Sequence, residues 1–525
     1  MADYTITVTR NGNIKKLNGT KGVSLLDTLI ENDIYISAAC GGAGKCGKCK
    51  VRMTENATEV TDTDKKFFNE EQLGEGWRLA CLSFPEQDCS VTVSTGDESD
   101  FEIVSDYQNI RKESGQIREE AYEIGIDIGT TTIAVNLIGA TSKEVLHTFT
   151  TINKQRAYGA DVISRIQASN DGKLEELKIC IRKDLYEGIR QVITEEGVDG
   201  ALVERIVIAG NTTMGHLLMG FSCETLGVYP FTPVDIGTME LSFAEMFGGI
   251  EGLDGGLLEA QIILMPGIST YVGADITAGM LSCEFDRQEK TCLLLDLGTN
   301  GEMAIGNKDK IMVTSTAAGP AFEGGNISCG MGSVKGAICN VKIADRKVSV
   351  KTIGDKAPIG LCGTGVIETV YELLQNDLLD ETGMLDEDYF DDGFVLAQTP
   401  EGEDISFTQK DVREIQLAKS AVRAGVETLL LRFGATYDDV DQVFLAGGFG
   451  YKINLEKAIG IGLLPEELHD KITAVGNSSL GGTVVYLTDP EAVERTEKIV
   501  AASEEIPLST DKDFNQFYTD YMFFE

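Results

Sequence analysis

Gly125-Ile126-Asp127-Ile128-Gly129-Thr130-Thr131-Thr132 sets a carboxylate at the end of an apolar run, followed by a glycine turn and three hydroxyls. A phosphate tail can take hydrogen bonds from such a turn while the carboxylate holds hydrated magnesium. Leu293-Leu294-Leu295-Asp296-Leu297-Gly298-Thr299-Asn300-Gly301-Glu302 repeats the arrangement, and Leu445-Ala446-Gly447-Gly448-Phe449-Gly450 adds a tight glycine turn able to pack an adenine or ribose. Any one of these is compatible with an ordinary strand-to-helix turn. Their order along the chain argues for a nucleotide site, and no G-x-x-x-x-G-K-S/T run competes for that role.

The same grammar surrounds both copies. Residues 123–129, 132–138 and 145–152 read as three consecutive strands, with helical periodicity over 174–196 and a strand over 205–209. Residues 291–298, 302–306 and 311–315 form a second such meander, with a helix over 412–433 and a strand over 443–446. A duplicated unit of this kind is α/β, with one sheet per lobe and a cleft between lobes.

Upstream, Tyr4-Thr5-Ile6-Thr7-Val8-Thr9 alternates as a strand, turns at Asn11-Gly12-Asn13 and continues near Ile14–Leu17. Ser24 caps a short apolar helix, and a strand follows at Lys50-Val51-Arg52-Met53, so an α+β β-grasp is expected. Between helix and strand lies Cys40-Gly41-Gly42-Ala43-Gly44-Lys45-Cys46-Gly47-Lys48-Cys49, and Arg78-Leu79-Ala80-Cys81 follows. Four thiolates suffice for a 2Fe-2S cluster, and the glycines let backbone amides approach its sulfurs. A zinc site or four reduced core thiols are the alternatives; zinc favours paired C-x2-C knuckles, and only one such pair is present. Cys89, Cys180, Cys223, Cys283, Cys292, Cys329, Cys339 and Cys362 are scattered and read as small buried hydrophobes. His147, His216 and His469 are isolated, which supports no histidine-rich metal or haem site.

The chain has 525 residues, too many for one core. Residues 1–95 are expected to form the ferredoxin-type domain, 96–121 a polar linker that lets it move, 122–285 the first lobe and 286–525 the second. The net charge of −39 disfavours nucleic acid and anionic membrane surfaces as partners. The first 96 residues carry 11 Lys+Arg against 13 Asp+Glu, a balance of −2 that leaves −37 for the remainder. The start lacks a basic and apolar leader and no apolar run reaches spanning length, so a cytoplasmic location is expected.

The cysteine loop resembles the 2Fe-2S ferredoxins, with a first gap closer to the adrenodoxin type than to the plant type. The glycine motifs resemble the superfamily of acetate and sugar kinases, heat-shock chaperones and actin, which implies a duplicated RNase H-like (actin-like) two-lobed ATPase. That resemblance implies a first phosphate motif at Asp127, Gly129, Thr130, Thr131 and Thr132 and a second at Asp296, Gly298, Thr299 and Asn300. It further implies an adenosine motif at Gly447 and Gly448, and an inter-lobe connection at Asn211 in Ile208-Ala209-Gly210-Asn211-Thr212-Thr213. Asp127 and Asp296 would face Mg2+ with ATP bound, while Glu302, or alternatively Glu323, would orient the attacking water.

The whole arrangement, including Gly360-Leu361-Cys362-Gly363-Thr364-Gly365 and Gly476-Asn477-Ser478-Ser479-Leu480-Gly481-Gly482, resembles the reductive activators of corrinoid proteins. In that family the cluster, ligated here by Cys40, Cys46, Cys49 and Cys81, returns cobalt(II) to cobalt(I) for methyl transfer. The implied partners are a corrinoid protein of a methyltransferase system and a low-potential electron donor, and a homodimer is compatible. The other readings are an activator of another low-potential metalloenzyme, a small-molecule kinase with an accessory cluster, and a binding or chaperone protein without electron transfer.

Overall fold

The strand Tyr4–Arg10 pairs antiparallel with Asn13–Gly19 and parallel with Cys89–Val93, placing Tyr4, Ile6 and Val8 on one buried face. The computed structural model describes residues 4–10, 12–36, 38, 40–93, 107, 118–400, 402–448, 450 and 453–524. Lys50–Glu55 and Trp77–Leu79 complete a five-stranded sheet in the order Asn13–Gly19, Tyr4–Arg10, Cys89–Val93, Lys50–Glu55, Trp77–Leu79. Helix Leu25–Glu31 starts at Ser24, whose Oγ accepts from Asp27 N at 3.0 Å, and lays Leu25, Leu26, Leu29 and Ile30 onto this sheet. The product is the expected β-grasp.

Two six-stranded sheets follow. The first runs Met239–Ser242, Gln261–Leu264, Val203–Gly210, Tyr122–Ile128, Thr132–Gly139, Val145–Ile152; the second runs Ile472–Gly476, Val440–Ala446, Thr291–Leu297, Gly301–Gly306, Ile311–Thr316, Ser503–Glu505. In each, an antiparallel meander meets a parallel strand along the edge of its first strand. The duplication is therefore a property of strand order as well as of motif. Tyr122–Ile128 is buried along its whole length, as a strand covered on both faces must be. Helix Gln409–Phe433 opens with a capping box on Thr408 and closes at Gly434, which adopts φ 81° and donates its N–H to Leu430 O.

The lobes meet where helices Ala274–Ser282 and Ser478–Thr488 cross. One apolar core joins side chains of both sheets to these helices, among them Val207, Ile276, Met280, Leu294, Phe444, Val484 and Leu487, all buried. Each such side chain contributes about 1.5–3 kcal/mol on leaving water. The crossing is close enough that a Cβ on Gly482 would stand 2.0 Å from Ala278 O. Overpacking of this kind costs typically about 1–3 kcal/mol. Gly482→Ala is accordingly expected to lower the thermal midpoint of the two-lobed module by several degrees, at about 2–4 °C per kcal/mol. An unchanged melting curve would contradict the close crossing.

Most of the expected linker lies outside the described residues. Within it, Tyr107 bridges to Gly476 and its hydroxyl accepts from Asn136 Nδ2 at 2.6 Å. The β-grasp domain is seated on the first lobe, with Ala157 of that lobe buried in the ferredoxin core and Lys183 Nζ 3.0 Å from Asp33.

Candidate functional site

The loop between helix Leu25–Glu31 and strand Lys50–Glu55 turns through Gly41, Gly42, Gly44 and Gly47, all at positive φ. Positive φ costs a glycine nothing, and it folds the backbone so that amides point inward at the thiols. Lys45 N donates to Cys40 Sγ at 3.4 Å, and Cys49 Sγ lies 3.3 Å from Cys81 Sγ. Cys40 and Cys46 likewise lie near enough to act on each other's acidity, so the four thiols meet as two pairs. Among the described residues no three His, Cys, Asp or Glu side chains are grouped to hold a single metal ion. Two pairs suit a two-iron cluster, in which each iron takes two cysteines, better than one tetrahedral zinc. Burial raises the Cys40 thiol, but the amides of Lys45 and Cys46 outweigh it and leave it below its ordinary value. The hydrogen bond shared with Cys81 brings Cys49 down to about 7 against the burial that raises it, and Cys81 is pushed up in return. Thiolate character at this loop is what iron ligation requires.

The cleft is built from the ends of equivalent strands. Asp127 stands in register with Ala209 and Asp296 with Ala446, each at the C-terminal end of a lobe's central strand. Gly129 N donates to Thr132 O at 2.9 Å and Gly298 N to Asn300 O at 3.0 Å, closing the two turns. Thr131 Oγ1 and Thr299 Oγ1 both donate to Glu323 Oε2, at 3.3 and 2.8 Å, so one carboxylate oxygen spans the phosphate turns of opposite lobes. Asn211 Nδ2 donates to Thr130 Oγ1 at 3.0 Å, and its Oδ1 caps helix Thr212–Met219. Asn211 hydrogen-bonds within the first lobe and lines a pocket with Asn300, Glu302 and Ser315 of the second; it borders Gly273, where the crossing helix begins, and a Cβ on Gly273 would lie 2.7 Å from Asn211 Cα. Gly447 packs beneath the second turn, where a Cβ would meet Leu297 O at 2.5 Å and Asp296 Oδ1 at 2.7 Å, whereas Gly448 faces open space. Phe449 of that motif lies outside the described residues.

The chain's segments match known families in the same order. Residues 8–86 match the 2Fe-2S iron-sulfur cluster binding domain, 122–288 the RACo middle region, and 290–525 the C-terminal domain of RACo, the ASKHA domain. The chain is 34% identical over 429 residues to the corrinoid activation enzyme RamQ of Eubacterium limosum, covering 77% of this chain and 70% of that relative. It belongs to the reductive activators of corrinoid proteins. The activator is also 28% identical over 431 residues to the [Co(II) methylated amine-specific corrinoid protein] reductase of Methanosarcina barkeri, covering 76% of each. A solved structure of a reductive activator for corrinoid,iron-sulfur protein superposes with a TM-score of 0.69 at 28% identity, over 99% of this chain and 98% of that one. No helix among the activator's described residues is long and apolar enough to cross a membrane.

The activator's cleft gathers more carboxylates than its two motifs supply. Asp275, in the first turn of the crossing helix, is pushed up to about 7 by burial and by the charge of Asp127. Asp296 is pushed up to about 8 by burial and then by Asp275 and Asp127, and burial with Asp275 and Asp296 raises Glu302 well above the carboxylate range. Asp127 is also raised by burial, although Ser479 Oγ and Asn477 Nδ2 donate to it at 2.7 and 2.9 Å. Hard oxygen donors repelling one another in a buried cleft form a set that a hydrated divalent cation would neutralise, which fits Mg2+. Glu302 differs from the others in origin: across the strand pair Asp296 faces Glu302, whereas at the equivalent place in the first lobe Asp127 faces Ala134. Asn300 Nδ2 and Ser315 Oγ donate to Glu302 Oε1 at 3.1 and 3.3 Å.

Asp275 and Arg156 belong to no sequence motif, and Asn477 and Ser479, within the stretch 476–482 that carries the family resemblance, give no sign in sequence that they reach Asp127. An aspartate after Gly273 reads as a helix cap; Asp275 is half-buried, and only the buried run behind it, Ile276 to Leu281, hints that it faces the interior. Cys89, Cys180, Cys223, Cys283, Cys292 and Cys362 are buried as expected, while Cys329 and Cys339 are half-buried.

Proposed function

We propose that this chain hydrolyses ATP between its lobes, with magnesium facing Asp127, Asp275 and Asp296, and returns a corrinoid protein from cobalt(II) to cobalt(I) through a 2Fe-2S cluster on Cys40, Cys46, Cys49 and Cys81. The observation that carries this reading is the presence, in one chain, of two inward-facing thiol pairs and a carboxylate-lined cleft bounded by paired phosphate turns. The relatives support the client: one is named for corrinoid activation and another as the reductase of a Co(II) corrinoid protein.

Cys40, Cys46, Cys49 and Cys81 would hold the cluster, which when bound would supply one-electron transfer from an external low-potential donor to cobalt(II). The protein's own part lies in the cleft. Gly129 and Gly298 let backbone amides approach a phosphate chain, the hydroxyls of Thr130, Thr131 and Thr299 orient it, and Gly448 leaves room for the adenosine while Gly447 lets its own turn pack beneath Asp296. Glu302, fixed by Asn300 and Ser315, lines an open pocket with Asn211, Thr270 and Tyr271, a place from which it would orient an attacking water. Closure of the lobes on nucleotide would then reshape a client docked across them.

The decisive assay follows the cobalt(II) to cobalt(I) absorbance change of a corrinoid protein from the same cell, with a low-potential reductant and with ATP present or withheld. Reduction only with ATP, accompanied by ADP and inorganic phosphate, is expected. A phosphorylated small molecule as product would establish the kinase reading, and response of a different reduced metalloenzyme in place of a corrinoid protein would replace the client.

A further inference from the structure

Arg156 lies on the turn Lys154–Ala157, and that turn is tied to the first phosphate loop. Asn153 N donates to Thr131 O at 2.9 Å, and Asn153 Nδ2 donates to Gly129 O at 3.0 Å. Arg165 continues the same network, donating to Thr130 O, to Gln155 Oε1 at 3.4 Å and to Gly159 O at 2.9 Å. Arg165 is thereby fully engaged and buried. The guanidinium of Arg156, half-buried, makes no hydrogen bond or ion pair to a described residue; its charge acts on Glu323. Glu323 in turn offers one oxygen to Thr131 and Thr299, a carboxylate between the hydroxyls of both phosphate turns and within reach of the charge of Arg156.

The other end of the turn meets the cluster loop. Ala157 is 3% exposed inside the ferredoxin core, Tyr158 packs against that core, and a Cβ on Gly41 would stand 2.8 Å from Tyr158 O. Gly41 follows the cluster cysteine Cys40 directly.

The geometry points to Arg156 as the residue that binds the terminal phosphate of ATP, displacing Glu323 from its place between the phosphate turns, and to the Lys154–Tyr158 segment as the contact through which that exchange reaches the cluster loop. This rests on the ATPase reading above. A terminal phosphate presents oxygens to the same hydroxyls that Glu323 now engages, carries more charge than a carboxylate, and matches the fork of a guanidinium. ADP lacks that group and leaves Glu323 in place. The charge of Arg156 therefore acts on Glu323 in one state and on a terminal phosphate in the other, the condition for a two-state element.

The test uses the full chain with its cluster. Calorimetry with ATP and ADP, steady-state hydrolysis, and hydrogen exchange of residues 40–47 are measured for the natural chain, Arg156→Ala and Arg156→Lys. Arg156→Ala is expected to weaken ATP about tenfold or more, to leave ADP within about twofold, and to cut hydrolysis on the order of 10²- to 10³-fold. ATP should alter exchange in the cluster loop of the natural chain and not in Arg156→Ala, with iron content equal in both. Arg156→Lys, which keeps charge without the fork, should recover part of the ATP affinity. Equal losses for ATP and ADP, an undiminished rate, or an exchange response that survives Arg156→Ala would each overturn the inference while the ATPase reading stands. Failure of the natural chain to bind or hydrolyse ATP would overturn both.

Discussion

Asp296→Asn is expected to lower ATP turnover on the order of 10²- to 10³-fold while leaving the cluster's iron and visible spectrum unchanged. The magnesium-free variant should at the same time be more stable than the natural chain. Both effects follow from the buried carboxylates. Asp296 sits at about 8 and Asp275 at about 7 because burial and mutual repulsion disfavour their charged forms. A carboxylic acid with a raised folded-state pKa is destabilising once it ionises: its contribution is absent below the unfolded value near pH 4 and grows until the folded value is passed. Without magnesium the natural chain should therefore lose stability between about pH 4 and pH 8, by up to about 1.4 kcal/mol per pH unit for each proton released. Asparagine removes one of these protons and flattens the profile. Adding magnesium and ATP should stabilise the natural chain and not the variant, because binding to the folded state alone raises apparent stability. Thermal unfolding in EDTA at pH 5 and pH 8, repeated with Mg-ATP, measures both arms. A variant with natural turnover would remove Asp296 from the site.

What could be read from the sequence was local. The turns after Asp127 and Asp296 announce themselves because glycine, hydroxyl and carboxylate fall within a few consecutive residues, and both lie where expected, at the ends of central strands. The cysteine loop was legible for the same reason. The residues that complete the cleft come from elsewhere. Asn477 and Ser479 reach Asp127 from more than 300 positions away, and Glu323 joins Thr131 to Thr299 only because the lobes face each other. Arg156, in Asn153-Lys154-Gln155-Arg156, reads as a polar loop until the turn is seen against the phosphate loop on one side and the ferredoxin core on the other. Short edge strands such as Met239–Ser242 and Ser503–Glu505 carry too few residues for periodicity to separate them from loop.

Cys49→Ser is expected to abolish cobalt reduction and reduce bound iron and sulfide well below two of each per chain, with ATP hydrolysis within about twofold of the natural rate. Cys49 is 2% exposed and its sulfur pairs with Cys81, so the serine oxygen takes the position of a ligand that iron holds less well. The ATPase lobes should survive the change because their apolar cores are their own: the clusters around Leu295 and Val422 and around Ile126 and Leu185 contain no ferredoxin side chain. Cys89→Ser serves as the control. Cys89 is buried in the strand Cys89–Val93 with its thiol pushed up to about 11 by burial, which marks it as a packing residue that keeps its proton, so its replacement should leave iron content intact. The contact of Ala157 and Tyr158 with the ferredoxin core adds a finer expectation. If the cluster loop and the phosphate loop communicate through that contact, loss of the cluster should change how strongly the client stimulates hydrolysis while sparing the basal rate. Iron analysis, phosphate release with and without the corrinoid protein, and the cobalt absorbance assay on the same preparations separate these effects. A Cys49→Ser chain that keeps its iron and still reduces cobalt would place the electron-transfer site elsewhere.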